Sequence, residues 1–238
     1  MSRRLWVIDP SLRSPETEGV AELLRHWPGE HRLLQPALTP GDGPRPGDGY
    51  DAAGIVILGS SASVYDPLPW IAPLAEWLRP LVTGAVRRPV LGICFGHQLV
   101  AHAAAGTVGY VREDRGKLSG IETSRFDRCR LLPDGRELRV VVSHREEVRL
   151  LPAGYRRVAR RGPVENDAIE HEQLPVFGVQ FHPEARAEFA RHVGIDPATI
   201  DERVRADSDR LLGSFCRCVE AQTENEPVDH PPARSGRG

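Results

Sequence analysis

The stretch "PVLGICFGHQLVAHAAAG", residues 89–106, decides the fold. Its apolar run, Val90 to Ile93, ends at Cys94, and a glycine then opens an alanine-rich segment with helical character. Glycines stand two residues before and two residues after the thiol, giving Gly92-Ile93-Cys94-Phe95-Gly96. That spacing fits a strand–nucleophile–helix corner, a turn so sharp that side chains at the flanking positions would collide. The corner would lift the sulfur to the carboxyl end of a strand, where open α/β sheets bind their ligands. It would also set the sulfur at a helix N-terminus, where the dipole and free N–H groups favour a thiolate. A buried structural cysteine with incidental glycines is the competing reading of the pentapeptide taken alone.

Upstream of the corner, strand-like runs (5–9, 31–36, 53–59 and 89–93) alternate with helical patterns (18–27, 70–82 and 96–106), with a bend expected at Pro73. A glycine/proline loop occupies 41–49. Alternation of this kind predicts an α/β fold, with a mostly parallel central sheet and helices on both faces. After residue 107 the pattern changes to strand-like segments joined by turns (120–126, 129–144, 155–160 and 174–184), which predicts a smaller antiparallel region. Residues 185–221 read as a C-terminal helical extension, with Leu211, Leu212, Phe215 and Val219 at helical spacing. The expected organisation is one domain over 1–221, followed by a disordered tail over 222–238.

The chain has 238 residues, 40% of them hydrophobic and 27% charged, with a net charge of −2. This composition suits a globular domain and gives no electrostatic case for a nucleic-acid or membrane partner. Four cysteines in a chain this long do not make a disulfide framework, and the N-terminus lacks a signal-peptide pattern, so a cytoplasmic location is the expectation. Cys129, Cys216 and Cys218 have no zinc-ligand spacing, and no metal or cofactor is expected.

A thiol nucleophile needs an imidazole, and the imidazole needs an orienting group. Among nine histidines, His182 is distinctive: it ends the apolar run "PVFGVQFHPE", with Glu184 two residues on. Were the strand to persist through Pro183, both side chains would project from one face. An accidental His-Pro-Glu turn is the alternative.

Together these pieces resemble the class I, triad-type glutamine amidotransferases. The matching motifs occur in family order: "GSSASVYD" (59–66), "GICFGHQL" (92–99), "VSHREEV" (142–148) and "GVQFHPE" (178–184). The likeness runs from about residue 5 to about residue 190 and is nearest to the amidotransferase domain of GMP synthase-like proteins. It implies a flavodoxin-like fold and a Cys94–His182–Glu184 triad that hydrolyses the side-chain amide of glutamine through a glutamyl thioester. It further implies an oxyanion hole from Phe95 and the Gly59–Ser60 loop, and substrate contacts from Gly59, Gln98, Ser143 and His144. For His144, a loop histidine with no proton-transfer role is the preferred reading.

Two features depart from the family pattern. The oxyanion loop usually carries a glycine pair, whereas this chain reads Gly59-Ser60, which makes a backbone flip costlier. The helical segment beyond about residue 190 has no place in the family core and is a candidate partner surface. Because "RGKLS" (115–119) is not a phosphate-binding loop and no pyrophosphatase loop is present, ammonia would pass to a separate synthetase partner. Hydrolysis of another γ-glutamyl amide, or a non-catalytic regulatory role, are the alternative functions.

Overall fold

The computed structural model describes residues 4–224. In chain order the elements are β1 (Arg4–Ile8), α1 (Thr17–Leu24), β2 (His31–Leu34), β3 (Ala52–Ile57), α2 (Ile71–Thr83), β4 (Val90–Ile93), α3 (Phe95–Ala103), β5 (Thr107–Tyr110) and β6 (Leu118–Phe126). They continue with β7 (Glu137–His144), β8 (Glu146–Leu150), β9 (Tyr155–Arg161), β10 (Val164–His171), β11 (Val176–Val179), α4 (Ala187–Val193) and α5 (Glu202–Glu224).

One nine-stranded sheet forms the centre, in the order β2-β1-β3-β4-β11-β10-β9-β6-β7. Strands β2, β1, β3, β4 and β11 run parallel. Strands β10, β9, β6 and β7 continue the same sheet antiparallel, so the sheet is mixed. A separate two-stranded antiparallel sheet pairs β5 with β8.

Period-two alternation sorts the core strands between two layers. Leu5 and Val7 of β1, Val56 of β3, and Leu91 and Ile93 of β4 join one cluster with Val20 and Leu23 of α1 and Leu211, Leu212, Phe215 and Val219 of α5. Trp6, Ile8, Ile55, Ile57 and Val90 point the other way, into a cluster with Leu74, Trp77 and Leu78 of α2 and Phe95 and Leu99 of α3. Both faces are covered, so all six residues of β3 are buried.

Several boundaries differ from expectation, for identifiable reasons. In α2, Pro73 falls in the first turn, where a missing N–H is tolerated, and Pro80 is the proline inside the helix. The expected strand over 129–144 begins only at Glu137. Helix α5 is not an appendage. Its apolar stripe is one wall of the core, and a Cβ on Gly54 of β3 would lie 2.7 Å from Val219 Cγ2. The helix runs past residue 221 to Glu224, and the rest of the expected tail, 225–238, lies outside the described residues. No helix among the described residues is long and apolar enough to cross a membrane.

Candidate active site

Strands β3, β4 and β11 are adjacent and parallel. Their carboxyl ends therefore open onto one edge, where Gly59, Cys94 and His182 follow in turn. This explains how residues far apart in sequence converge.

Cys94 lies between β4 and α3 with φ 52 and ψ −101, a conformation that side chains seldom adopt. Its N–H donates to the carbonyl of Val179, the last residue of β11, at 2.8 Å. The flanking glycines have no substitute. A Cβ on Gly92 would lie 2.3 Å from the Gly96 carbonyl oxygen, and a Cβ on Gly96 would lie 2.1 Å from that of Ile57. Cys94 is 4% exposed and lies at a cleft of ≈ 610 Å³ that also reaches Ser143, His182 and Glu184.

The strand leading to His182 stops at Val179, so the expectation that strand geometry aligns His182 with Glu184 does not hold. A turn through Pro183 brings them together instead. The imidazole Nδ1–H donates to Glu184 Oε1 at 2.8 Å. That contact leaves Nε2 as the ring nitrogen available to the sulfur, and it is buried without another hydrogen-bond partner. Buried Arg186 fastens the turn by donating to the carbonyls of Pro183 (3.1 Å) and Ala185 (2.8 Å). The Phe189 ring packs 4.4 Å from the imidazole, centroid to centroid. Burial is the largest influence on His182 and opposes its charge. Interactions with Cys94 and Glu184 nevertheless outweigh it and hold the His182 pKa well above its ordinary value.

The loop after β3 packs directly on the imidazole. A Cβ on Gly59 would lie 2.7 Å from His182 Cε1 and 3.6 Å from Cys94 Cβ. Ser60 is anchored: its hydroxyl donates to the Pro10 carbonyl at 2.8 Å and accepts from Ala62 N–H at 3.2 Å. The N–H of Phe95 belongs to the first turn of α3, which has no intrahelical acceptors.

Gln98, one turn into α3, is buried, and its amide donates to the Glu146 carbonyl (2.9 Å) and to Gln180 Oε1 (3.2 Å). Gln180 in turn donates to Cys94 Sγ at 3.7 Å. The sequence reading missed Gln180, although it lies inside the quoted "GVQFHPE" motif. Ser143 and His144 end β7. His144 Nδ1–H donates to the Glu146 carbonyl at 2.9 Å, and its Nε2 accepts from Arg161 at 2.9 Å. Arg161 is itself paired with buried Asp167 at 2.9 Å. Burial, then the Arg161 charge, push the His144 pKa down to about 3, so this ring is neutral. Burial likewise takes His97 down to about 3. Among the described residues, no group of three His, Cys, Asp or Glu side chains is arranged to hold a metal.

Residues 42–195 match the family profile described as glutamine amidotransferase class-I, and the chain belongs to that family. Among curated proteins it is similar to a glutamine-hydrolyzing GMP synthase subunit of Thermococcus kodakarensis, 46% identical over 99 residues, covering 40% of this chain and 50% of that protein. The corresponding subunit of Methanocaldococcus jannaschii is 36% identical over 107 residues, covering 44% and 56%. The chain thus spans about half the length of the curated relatives it matches. Among solved structures, a glutamine amidotransferase from Thermotoga maritima superposes with a TM-score of 0.72 at 22% identity, covering 92% of this chain and 98% of that one. A protein described as a GMP synthase subunit from Thermoplasma acidophilum gives 0.64 at 18% identity, covering 94% and 98%. At these identities the structural likeness establishes the fold.

Proposed function

We propose that this domain is a glutaminase that releases ammonia from the glutamine side chain and supplies it to a separate synthetase. One observation carries the reading: three neighbouring parallel strands deliver a glycine loop, a thiol and a carboxylate-backed imidazole to a single cleft. The Cys94 thiolate attacks the amide carbon. The resulting oxyanion accepts hydrogen bonds from Phe95 N–H and from the Gly59–Ser60 loop. The C–N bond breaks as His182 gives its Nε2 proton to the departing ammonia, leaving a glutamyl thioester. His182 then takes a proton from water, hydroxide attacks the thioester carbon, and glutamate leaves as Cys94 is regenerated. Glu184 holds the Nδ1–H tautomer throughout. Relatives described as one subunit of a glutamine-hydrolyzing GMP synthase support a partner that consumes the ammonia. The test is to incubate the protein with glutamine and follow glutamate. No glutamate, alone or with added synthetase, would overturn the reading.

Two further outcomes follow from the geometry. Glu184→Gln should retain about tenfold more turnover than His182→Ala, because an orienting group contributes less than the base it orients. Steady-state kinetics on both variants checks this, and the reverse order contradicts the roles. Ser60→Gly should raise partner-free turnover by about fivefold, since it removes the anchor to Pro10 and lowers the cost of a left-handed backbone by about 1–2 kcal/mol. An unchanged kcat would separate the loop's conformation from the rate.

A further inference from the structure

Helix α1 carries none of the groups assigned above, yet it packs against Glu184. Gly19 of that helix is buried. A Cβ there would lie 2.9 Å from Glu184 Cγ and 3.0 Å from both Cγ and Oε1 of Glu16. The Glu16 and Glu184 side chains therefore flank one bare Cα. Glu16 is fixed from behind: its N–H donates to Oδ2 of buried Asp9 at 2.9 Å, and Asp9 also accepts from Ser11 N–H (3.1 Å) and hydroxyl (2.5 Å). Glu184 uses Oε1 for the imidazole, while its Oε2 is buried without a hydrogen-bond partner. The same helix holds the chain that follows. Glu18 accepts from Glu188 N–H at 2.6 Å, at the start of α4. Glu22 lies 3.2 Å from Arg186, the arginine that fastens the His-Pro-Glu turn.

We propose that Glu16 is a positioning residue that acts through Glu184, with Gly19 providing the gap that the two side chains flank. The proposal rests on the glutaminase reading for its kinetic consequence, but not for its electrostatic one. The charged and titratable groups around Glu16 are Asp9 from the end of β1, Glu184 and His182 from the turn after β11, and Glu188 from α4. Burial, then Glu184, raise the Glu16 pKa to about 7; His182 opposes the rise, and Asp9 and Glu188 add to it. Below that pH the group is neutral. Above it, a second negative charge stands beside Glu184 and stabilises the His182 imidazolium.

The sign of the effect follows. Ionised Glu16 keeps the imidazolium protonated to higher pH, and glutamine does not. Glu16→Gln should leave the acidic limb of the kcat/KM profile for glutamine in place and move the alkaline limb down by about half a pH unit, reducing alkaline turnover about threefold. Gly19→Ala should lower kcat about tenfold with little change in KM, because a displaced Glu184 misorients the base. A purely structural role for Glu16 would scale the profile without moving either limb, and that result would overturn the proposal. Titration of the His182 ring by nitrogen-15 NMR, assigned with His182→Gln, needs no turnover. A lower imidazolium pKa in Glu16→Gln sustains the proposal even if wild type releases no glutamate. An unmoved pKa removes it even if glutaminase activity is strong.

Discussion

Replacing Cys94 with alanine is expected to lower glutamine hydrolysis by about 100,000-fold while leaving the thermal midpoint within about 2 °C of wild type. The rate follows from the loss of the only thiol among the described residues that line the cleft. With the sulfur gone, water must attack the amide directly, and only the oxyanion donors and bound geometry remain to help. Stability is nearly untouched because alanine keeps the Cβ and the backbone at φ 52, so the strain of the corner persists and the N–H to Val179 survives. Glutamate release and a thermal melt on the same sample check both halves. Turnover within tenfold of wild type would refute the assignment of the nucleophile.

The largest effect on stability is expected at Gly96. An added methyl group would lie 2.1 Å from the Ile57 carbonyl oxygen, well inside any contact distance, and the obstacle is backbone that cannot rotate away. Helix α3 must retreat from β3, opening the layer that Ile55, Ile57, Phe95 and Leu99 close. Gly96→Ala should destabilise the domain by about 3 kcal/mol or more, a fall of roughly 10 °C in Tm for a chain of this size. Activity should fall as well, because Ile57 leads directly into the Gly59 loop. Gly49→Ala is the control: that glycine has open space around it and no left-handed φ, so its Tm should stay within about 1 °C. Equal melting of the two variants would mean that the corner can relax in a way this packing does not suggest.

The parallel half of the fold was legible because β1, β3, β4 and β11 are apolar on both faces and bounded by turn residues. The strands missed from the sequence, β5, β8 and β10, lack that signature. β10 reads "VENDAIEH", which looks like loop, yet Asn166, Asp167 and Glu170 are buried in it. Each has a partner that composition cannot reveal. Asn166 donates to the Val148 carbonyl at 2.8 Å, Asp167 pairs with Arg161, and Glu170 faces Arg130 and Arg156. The nucleophile corner could be read because its glycines are local. The meeting of His182 with Glu184 was expected from strand alternation but arises from a turn held by Arg186, whose partners Glu22 and Asp209 are distant in sequence. Gln180 lay inside a quoted motif, whereas Asp9, Glu16 and Gly19 left no signal that single-chain patterning detects, since their neighbours are fixed only by tertiary packing.

The rung between Cys94 N–H and the Val179 carbonyl, with β11 inserted directly beside β4, has a consequence for how such a chain can grow. That rung fixes the corner of the thiol against β11 by main-chain bonding and is indifferent to the path taken between its two rails. Extra residues at the exposed Pro133–Gly135 turn would enlarge a loop at a cost of only about 0.6 kcal/mol per doubling of its length, and the ladder would not feel them. A scaffold of this kind can be elaborated with new peripheral segments while its chemistry stays in register.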